Sequence, residues 1–478
     1  MPKVIQTNPR PDRRELPFGF SGKRVHLIGI GGCGMSGAAS VLMRLGAIVS
    51  GSDQAESPIL QELSADGATV CIGHDHWNVP QDVDLVVTSA AIPADNPELL
   101  AARARGARML KYATLLGEIM HSTTGVAIAG THGKSTTTAL TAFVAREAGL
   151  DPSFIIGAGV PQLGGGSGVG SGDAFVVEAC EYDRSFLHLA PTHGVILNIE
   201  EDHLDYFEDL EEIEAAFADF AALVPSCGTV LFNRDDPISH RAVQQAKGRI
   251  ESFGFDPRAT WRATHVDLEG GLPSFDIEWC GQPIGRTTLA MPGRHNIYNA
   301  LAACALTHLL GGELSVILEA LGRFQGVERR LMYRGRYRGI DILDDYAHHP
   351  TEITASLEAV RQRYQPDRLR VVFQPHQVSR TRFFLEDFAD SFELADEVIV
   401  PDIYFVRDSE ADRQLVSGND LAERITQRGG QARYVPNLDD IAEYLAADAR
   451  RGDLVITMGA GDVWKVADEM VSRLGADC

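Results

Sequence analysis

No apolar run in this chain of 478 residues is long enough to cross a bilayer, and the opening MPKVIQTNPRPDRRELPFGF puts charge and proline where a signal peptide needs an apolar core. The expectation is a soluble, cytoplasmic protein with no membrane partner. Cysteine is sparse: the seven residues are scattered without C-x-x-C pairs or repeated spacing, which argues against both a disulfide framework and a cysteine-built zinc site. Basic residues are in deficit, 43 Lys plus Arg against 66 Asp plus Glu, for a net charge of −23. A sequence-blind nucleic-acid binder needs the opposite sign, so no nucleic-acid partner is expected. Small anions are not excluded, because a local loop captures them against the global field. A single ordinary core is excluded by length, which suggests about three domains.

What is present is glycine, 47 residues of it, and an alternation of short apolar runs with helical patterns. Runs such as Val25–Ile30, Gly125–Ala129, Phe175–Glu178, Ile340–Leu343, Arg370–Phe373 and Leu454–Met458 recur between helices, the pattern of parallel sheets covered on both faces. The segment Trp261–Leu289 departs from it, with Gly-Gly and Gly-Gln turn signals between β-rich runs, and reads as an antiparallel addition. GVPQLGGGSGVGSGDAF is the one low-complexity stretch, and its core Gly164–Gly172 reads as a mobile surface loop.

The first chemical motif is RVHLIGIGGCGMSGAASVLMRLGAIVSGSD. A strand leads into Gly29-x-Gly31-x-x-Gly34, then a helix, a second strand and an acid, Asp53. That order fits a pyrophosphate on a helix N-terminus with the acid on a ribose hydroxyl, as in NAD enzymes. A second loop, GVAIAGTHGKSTT, follows a strand and opens a helix. Its Gly130, Thr131, His132, Gly133, Lys134, Ser135 and Thr136 read as a phosphate cradle, with Lys134 on the terminal phosphates and the Ser135 hydroxyl on magnesium. The match is imperfect, since Ile128 stands where the general pattern has its first glycine; a plain tight turn is the alternative. Glu178, and Asn198, Asp202, His203 and Asp205 of NIEEDHLDYF, supply oxygen and imidazole at strand ends and suit Mg²⁺ or Mn²⁺. Downstream, Asn296 and Asn299 open a small-residue helix, His348-His349-Pro350 either caps a helix or serves a site, and His376, Arg380 and Arg382 follow another strand.

Taken in order, GIGGCGMSG, GTHGKSTT, NIEEDHLDYF, PGRHNIYN, GVERR, DDYAHHPTEI and FQPHQVSRTR resemble the Mur ligases over all but the first twenty or so residues. The resemblance implies three α/β domains: a Rossmann-like UDP-sugar domain over 1–121, a central P-loop ATP domain over 122–327 and a Rossmann-like amino-acid domain over 328–478. It implies ATP-driven joining of L-alanine to UDP-N-acetylmuramate, with ATP and Mg²⁺ (or Mn²⁺), as a monomer or homodimer. Gly31, Gly32, Cys33, Gly34, Met35, Ser36, Asp53 and His74 would then contact UDP. Lys134 would hold the γ-phosphate, Ser135 with Glu178 one metal, His203 would bind or position a second, and Asn296 would contact adenine, Asp345 the ribose and Arg330 the transferred phosphoryl group. Tyr346, His348, His376 and Arg380 would line the amino-acid site, Arg380 on the carboxylate.

Two departures stand out. Cys180, Tyr182 and Arg184 replace the small and acidic residues usual in that stretch, and Phe217 stands where later-acting members carry a metal-holding carbamylated lysine. The second favours the alanine-adding branch over the ligases that add later peptide residues, and GIGG-x-GMSG resembles that branch more than the tripeptide-adding recycling ligase. An NAD-dependent dehydrogenase remains the reading from another class, and it leaves the second phosphate loop unexplained.

Overall fold

The computed structural model describes residues 19–89, 92–406, 408 and 411–475. Three sheets follow one another along the chain. The first contains β1 (Arg24–Ile28), β2 (Ile48–Asp53), β3 (Thr69–Ile72), β4 (Leu85–Thr88) and β5 (Arg108–Lys111), all parallel in the order β3-β2-β1-β4-β5. The order reverses between β1 and β4, so a crevice opens beyond their carboxyl ends, where parallel sheets receive ligands.

The central sheet has ten strands: β6 (Thr124–Ala129), β7 (Ser153–Ile155), β8 (Ser167–Gly168), β9 (Ala174–Glu178), β10 (His193–Ile196), β11 (Thr229–Asn233), β12 (Arg249–Gly254), β13 (Trp261–Asp267), β14 (Ser274–Trp279) and β15 (Gln282–Thr288). They run in the order β15-β14-β13-β12-β11-β10-β6-β9-β7-β8. The run from β6 to β13 is parallel apart from the edge strand β8, and β13–β15 form the expected antiparallel addition. The third sheet contains β16 (Met332–Tyr337), β17 (Ile340–Asp345), β18 (Arg368–Phe373), β19 (Glu397–Val400), β20 (Ala432–Tyr434) and β21 (Asp453–Met458), ordered β16-β17-β21-β18-β19-β20 with only β16 antiparallel.

The glycine-rich stretch is not the mobile surface loop expected. It forms a 3₁₀ turn, Pro161–Leu163, and then edge strand β8, which pairs antiparallel with β7. Its glycines are needed for close approach: a Cβ on Gly170 would stand 1.9 Å from the Asp151 carbonyl oxygen, and one on Gly172 1.9 Å from that of Leu150. The strand also lies against the first domain, where a Cβ on Gly37 would meet Ser167 at 2.8 Å. Composition suggested flexibility; the backbone uses the same residues for tight packing.

One continuous apolar core joins the first and central sheets, running from Val25 and Leu42 through Leu115 and Ile119 to Phe175, Phe186 and Phe217. Phe217 is fully buried against Phe186, ring centroids 5.2 Å apart, so that position packs the core. The third sheet has two core clusters of its own, against which, among the described residues, only Leu204 and Leu331 from ahead of β16 pack. The third domain is therefore attached by few apolar contacts, and polar bonds across the seam carry more of the attachment.

Candidate active site

At the first crevice, Gly29 takes φ 81°, and the chain enters the helix Cys33–Arg44 with no side-chain cap. The helix start thus offers backbone N–H groups to an anion. Asp53 does not stand free for a ribose: its Oδ2 accepts from the Gly31 amide at 2.9 Å and its Oδ1 from that of Gln54 at 2.8 Å, so it holds the loop. Gly34 lies so close to Tyr112 that a Cβ would meet its hydroxyl at 2.6 Å. Gly32 is exposed and Ser36 half-buried with its amide bonded to Gly32 O, while Met35 points into the core and leaves only its backbone for a ligand. The Cys33 side chain lies outside the described residues. His74 sits at the crevice with Nδ1 3.0 Å from Ser52 Oγ.

Beneath His74 lies a cluster that sequence reasoning missed. Glu98 is fully buried and accepts from Ser52 Oγ (2.6 Å), Asn78 Nδ2 (2.7 Å) and the Asp75 amide (3.2 Å), with His26 Nε2 at 3.1 Å and His74 Nδ1 at 3.5 Å. Burial pushes its pKa up, but the hydrogen bonds from His26, Ser52 and Asn78 outweigh it and hold the carboxyl at about 2. Only the alternation of β1 could have pointed to it, since His26 sits where an apolar residue is expected.

The second phosphate loop connects β6 to the helix Lys134–Glu147, with Gly130 at φ 146° and Gly133 at φ 82°. Lys134 Nζ turns back onto the loop, donating to the carbonyls of Gly130 (2.5 Å) and Thr131 (3.0 Å) and to Glu181 Oε1 (2.9 Å). That is the local geometry of a loop whose lysine is held by its own acceptors. Ser135 and Glu178 face each other, and burial raises the Glu178 pKa despite the bond from Gly157 N–H. His203 takes φ 54°; its Nε2 is 3.6 Å from Glu181 Oε1, and its buried Nδ1 has no hydrogen-bond partner. Two carboxylates, a hydroxyl and an under-used imidazole make a donor set that fits Mg²⁺ or Mn²⁺. Glu181 was not singled out in the sequence, although it lies in the same EACEYD stretch as Glu178. Of the departures there, Arg184 bonds Glu212 at 2.8 Å and Tyr182 OH bonds Asp205 at 3.4 Å.

A cavity of about 730 Å³ opens between the central and third sheets. His132, Gly133, Thr136, Asn296, Arg330 and Asp345 all line it, so these expected nucleotide residues converge. Asn296 donates to the Pro292 carbonyl at 2.7 Å and accepts from Asn299 at 2.9 Å. Asp345 is buried, bonded by Ser356 Oγ at 2.5 Å, and its pKa is pushed up by burial to about 6. Thr131 and His132 are engaged elsewhere: the Thr131 amide donates to the Asn198 carbonyl (3.0 Å) and the His132 amide to Asn198 Oδ1 (2.7 Å). Their amides tie the loop to the 198–200 segment and are not free for phosphate, contrary to the expectation.

The two arginines of GVERR part company because Arg329 takes φ 58°. Arg329 turns into the fold, onto Asp344 (3.1 Å) and the Gly459 carbonyl (2.8 Å), while Arg330 lines the cavity with Nη1 3.5 Å from Glu352 Oε1. Both guanidiniums lie 5.1 Å from the Tyr346 ring centroid. Glu352, another residue missed, also receives His132 Nδ1 (3.2 Å) and the His348 amide (3.1 Å), and these partners hold it well below the usual carboxylate range despite burial. Its only sequence signal was an acid in the first turn after HHP. His349 caps the helix Pro350–Tyr364 by accepting from Thr351 N–H.

Of the expected amino-acid residues, Tyr346, His348 and His376 are neighbours, the two imidazoles 6.3 Å apart and His376 stacked on Tyr404. Arg380 is the exception. It is buried and donates from Nε (3.2 Å) and Nη2 (2.5 Å) to Asp202 Oδ1, spanning the seam. It is neither a free carboxylate fork nor a solvated helix start. Glu386, the next acid along the chain, pairs with Arg424 and Arg428.

The fold and the site define a class: an α/β protein of three sheets, with two glycine-bounded strand–loop–helix turns and a cavity between its central and third sheets. The chain belongs to the Mur ligase family. Its residues 24–124 match the model for the Mur ligase family, catalytic domain, 128–307 the Mur ligase middle domain and 329–461 the Mur ligase, glutamate ligase domain. It is 42% identical over 453 residues to the UDP-N-acetylmuramate–L-alanine ligase of Caldanaerobacter subterraneus, covering 94% of this chain and 98% of that one. The enzyme of the same name from Acetivibrio thermocellus is 43% identical, covering 93% and 95%. Among solved structures, the UDP-N-acetylmuramate-alanine ligase of Thermotoga maritima matches with a TM-score of 0.79 at 27% identity, covering 95% of this chain and all of that one. A murein peptide ligase from Psychrobacter arcticus matches at 0.71 and 25%, covering 95% and 99%.

Proposed function

We propose that the chain is an ATP-dependent ligase that joins L-alanine to UDP-N-acetylmuramate. The observation that carries this is relatives of that name at 41–43% identity along almost the whole chain. The hydride-transfer reading has no support in those relatives, and the solved peptide-adding ligases match with lower TM-scores, 0.71 and 0.59 against 0.79.

In this reading the muramate carboxylate attacks the γ-phosphorus of ATP, ADP leaves, and an acyl phosphate results. The alanine amine then attacks the acyl carbon, and phosphate departs with the electron pair of the broken C–O bond. Lys134 exchanges its loop carbonyls for phosphate oxygens, and Arg330, placed at the cavity wall by the turn at Arg329, offsets charge on the transferred group. Magnesium held by Ser135, Glu178 and His203 would supply further charge neutralisation. Glu181 is an additional candidate there, because it already bridges Lys134 and His203. Tyr346, His348 and His376 line the amino-acid side. Arg380 acts through the seam, by holding the third domain against Asp202, and closure keeps water from the acyl phosphate.

The test is ADP release with UDP-N-acetylmuramate and a panel of amino acids plus the tripeptide. L-alanine should give the highest kcat/KM; preference for the tripeptide would replace this reading with the recycling one.

A further inference from the structure

We propose that His132, Glu200 and His349 form a binding site for one divalent transition-metal ion, zinc being the reference case, that bridges the central and third domains. The site is separate from the Ser135, Glu178 and His203 set assigned above. His132 comes from the phosphate loop, Glu200 from the segment after β10, and His349 from the N-cap of the helix Pro350–Tyr364.

One ligand atom from each residue faces the same point. His132 Nε2 is 3.5 Å from Glu200 Oε2, His349 Nδ1 is 4.0 Å from the same oxygen, and all three lie within 4.8 Å of one another. Ligands bound to zinc at about 2.0–2.2 Å in a tetrahedron stand roughly 3.3–3.6 Å apart. Closing the triangle therefore needs side-chain adjustment of about 1 Å and no rearrangement of the backbone.

Each imidazole is already oriented as a metal-bound one would be. His132 Nδ1 is engaged by Glu352 Oε1 at 3.2 Å, and His349 Nε2 by the Glu201 carbonyl at 3.1 Å. A carboxylate or a carbonyl on the outer ring nitrogen fixes the tautomer and raises the basicity of the inner one. The inner nitrogens are the less engaged ones. His132 Nε2 is buried and makes no hydrogen bond, while His349 Nδ1 takes only a long one, 3.3 Å, from the Thr351 amide. Glu200 is steadied in turn by Thr351 Oγ1 at 2.6 Å.

The chemistry of the set selects the metal. Two imidazoles and one carboxylate suit zinc, cobalt or nickel, whereas magnesium prefers a shell of oxygens. Three protein ligands leave a fourth position, and both His132 and Glu200 line the nucleotide cavity, so that position faces it. Because the ligands belong to two domains, the ion would staple the seam shut.

The test uses the full chain freed of metal with chelator and without nucleotide, titrated with zinc chloride by calorimetry. One equivalent should bind. Glu352→Gln should weaken binding about 10- to 100-fold, and Glu200→Gln and His349→Asn should weaken it further. Asparagine at 349 retains the helix-cap acceptor while removing the imidazole, so loss of binding there reports ligation and not unfolding. His203→Ala should leave the zinc isotherm unchanged. With cobalt, the spectrum should lack a thiolate charge-transfer band, which separates this site from the exposed Cys180, Cys227 and Cys280. The proposal is overturned by absence of saturable binding, by an isotherm indifferent to Glu200→Gln and His349→Asn, by loss of binding in His203→Ala, or by a thiolate band.

Discussion

Glu98→Gln offers the cleanest energetic reading of the first domain. Glutamine keeps the shape of the side chain but removes the charge and turns one acceptor oxygen into an NH2 donor, in a cluster where Ser52, Asn78 and the Asp75 amide all donate and His26 lies at 3.1 Å. The folded pKa of about 2 lies below the ordinary 4.5, so the ionised form stabilises the fold above pH 4.5, and that contribution is lost as pH falls towards 2. That lowering is worth roughly 3 kcal/mol at pH 7. Hydrogen exchange of β1 and β2 amides should therefore accelerate on the order of a hundredfold in the variant at pH 7. The gap should narrow between pH 4.5 and pH 2 as the wild-type carboxyl takes its proton. Since Ser52 and Glu98 hold His74 Nδ1, KM for the UDP-sugar should rise while KM for ATP stays put. Equal exchange in the two proteins at pH 7, or a gap that does not shrink with acid, would refute the reasoning.

Lys134→Ala should abolish ligation and leave UDP-sugar affinity intact by direct titration, because the two ligands use different sheets; parallel loss of both affinities would contradict that separation. Arg380→Ala strands the buried Asp202 carboxylate and should cost about 3–5 kcal/mol of seam stability, read as exchange protection of the helix Pro350–Tyr364. The same change made in Asp202→Ala should cost far less, and equal costs in the two backgrounds would show that the pair does not hold the seam. Gly170→Ala drives a methyl group into the Asp151 carbonyl and should lower stability by about 1–3 kcal/mol with new protease cleavage between 160 and 175; an unchanged melting temperature would restore the picture of a loose loop.

The parallel sheets were legible because their strands are short apolar runs closed by loop signals, and the antiparallel β13–β15 because Gly270-Gly271 and Gly281-Gln282 mark its turns. The two glycine-bounded strand–loop–helix turns were legible for the same reason: glycines at fixed offsets between strand and helix leave a local trace. Residues whose role depends on pairing across distance left none. Arg380 and Asp202 are 178 positions apart, His132 and Glu352 220, and neither partner predicts the other from its neighbours. Glu98 is hidden for a further reason, since a buried carboxylate looks in sequence like any acid in a first helical turn. The glycine-rich edge misled because one composition serves both flexible and close-packed backbone, and only the contacts of Gly168, Gly170 and Gly172 tell them apart.

The most direct measurement is mass spectrometry of the products formed from ATP, L-alanine and UDP-N-acetylmuramate whose lactyl carboxylate carries heavy oxygen. The UDP-sugar should gain the mass of one alanyl residue, and one heavy oxygen should leave in the inorganic phosphate, as an acyl phosphate requires. A UDP-sugar of unchanged mass, or an alanyl product released with unlabelled phosphate, would contradict the account.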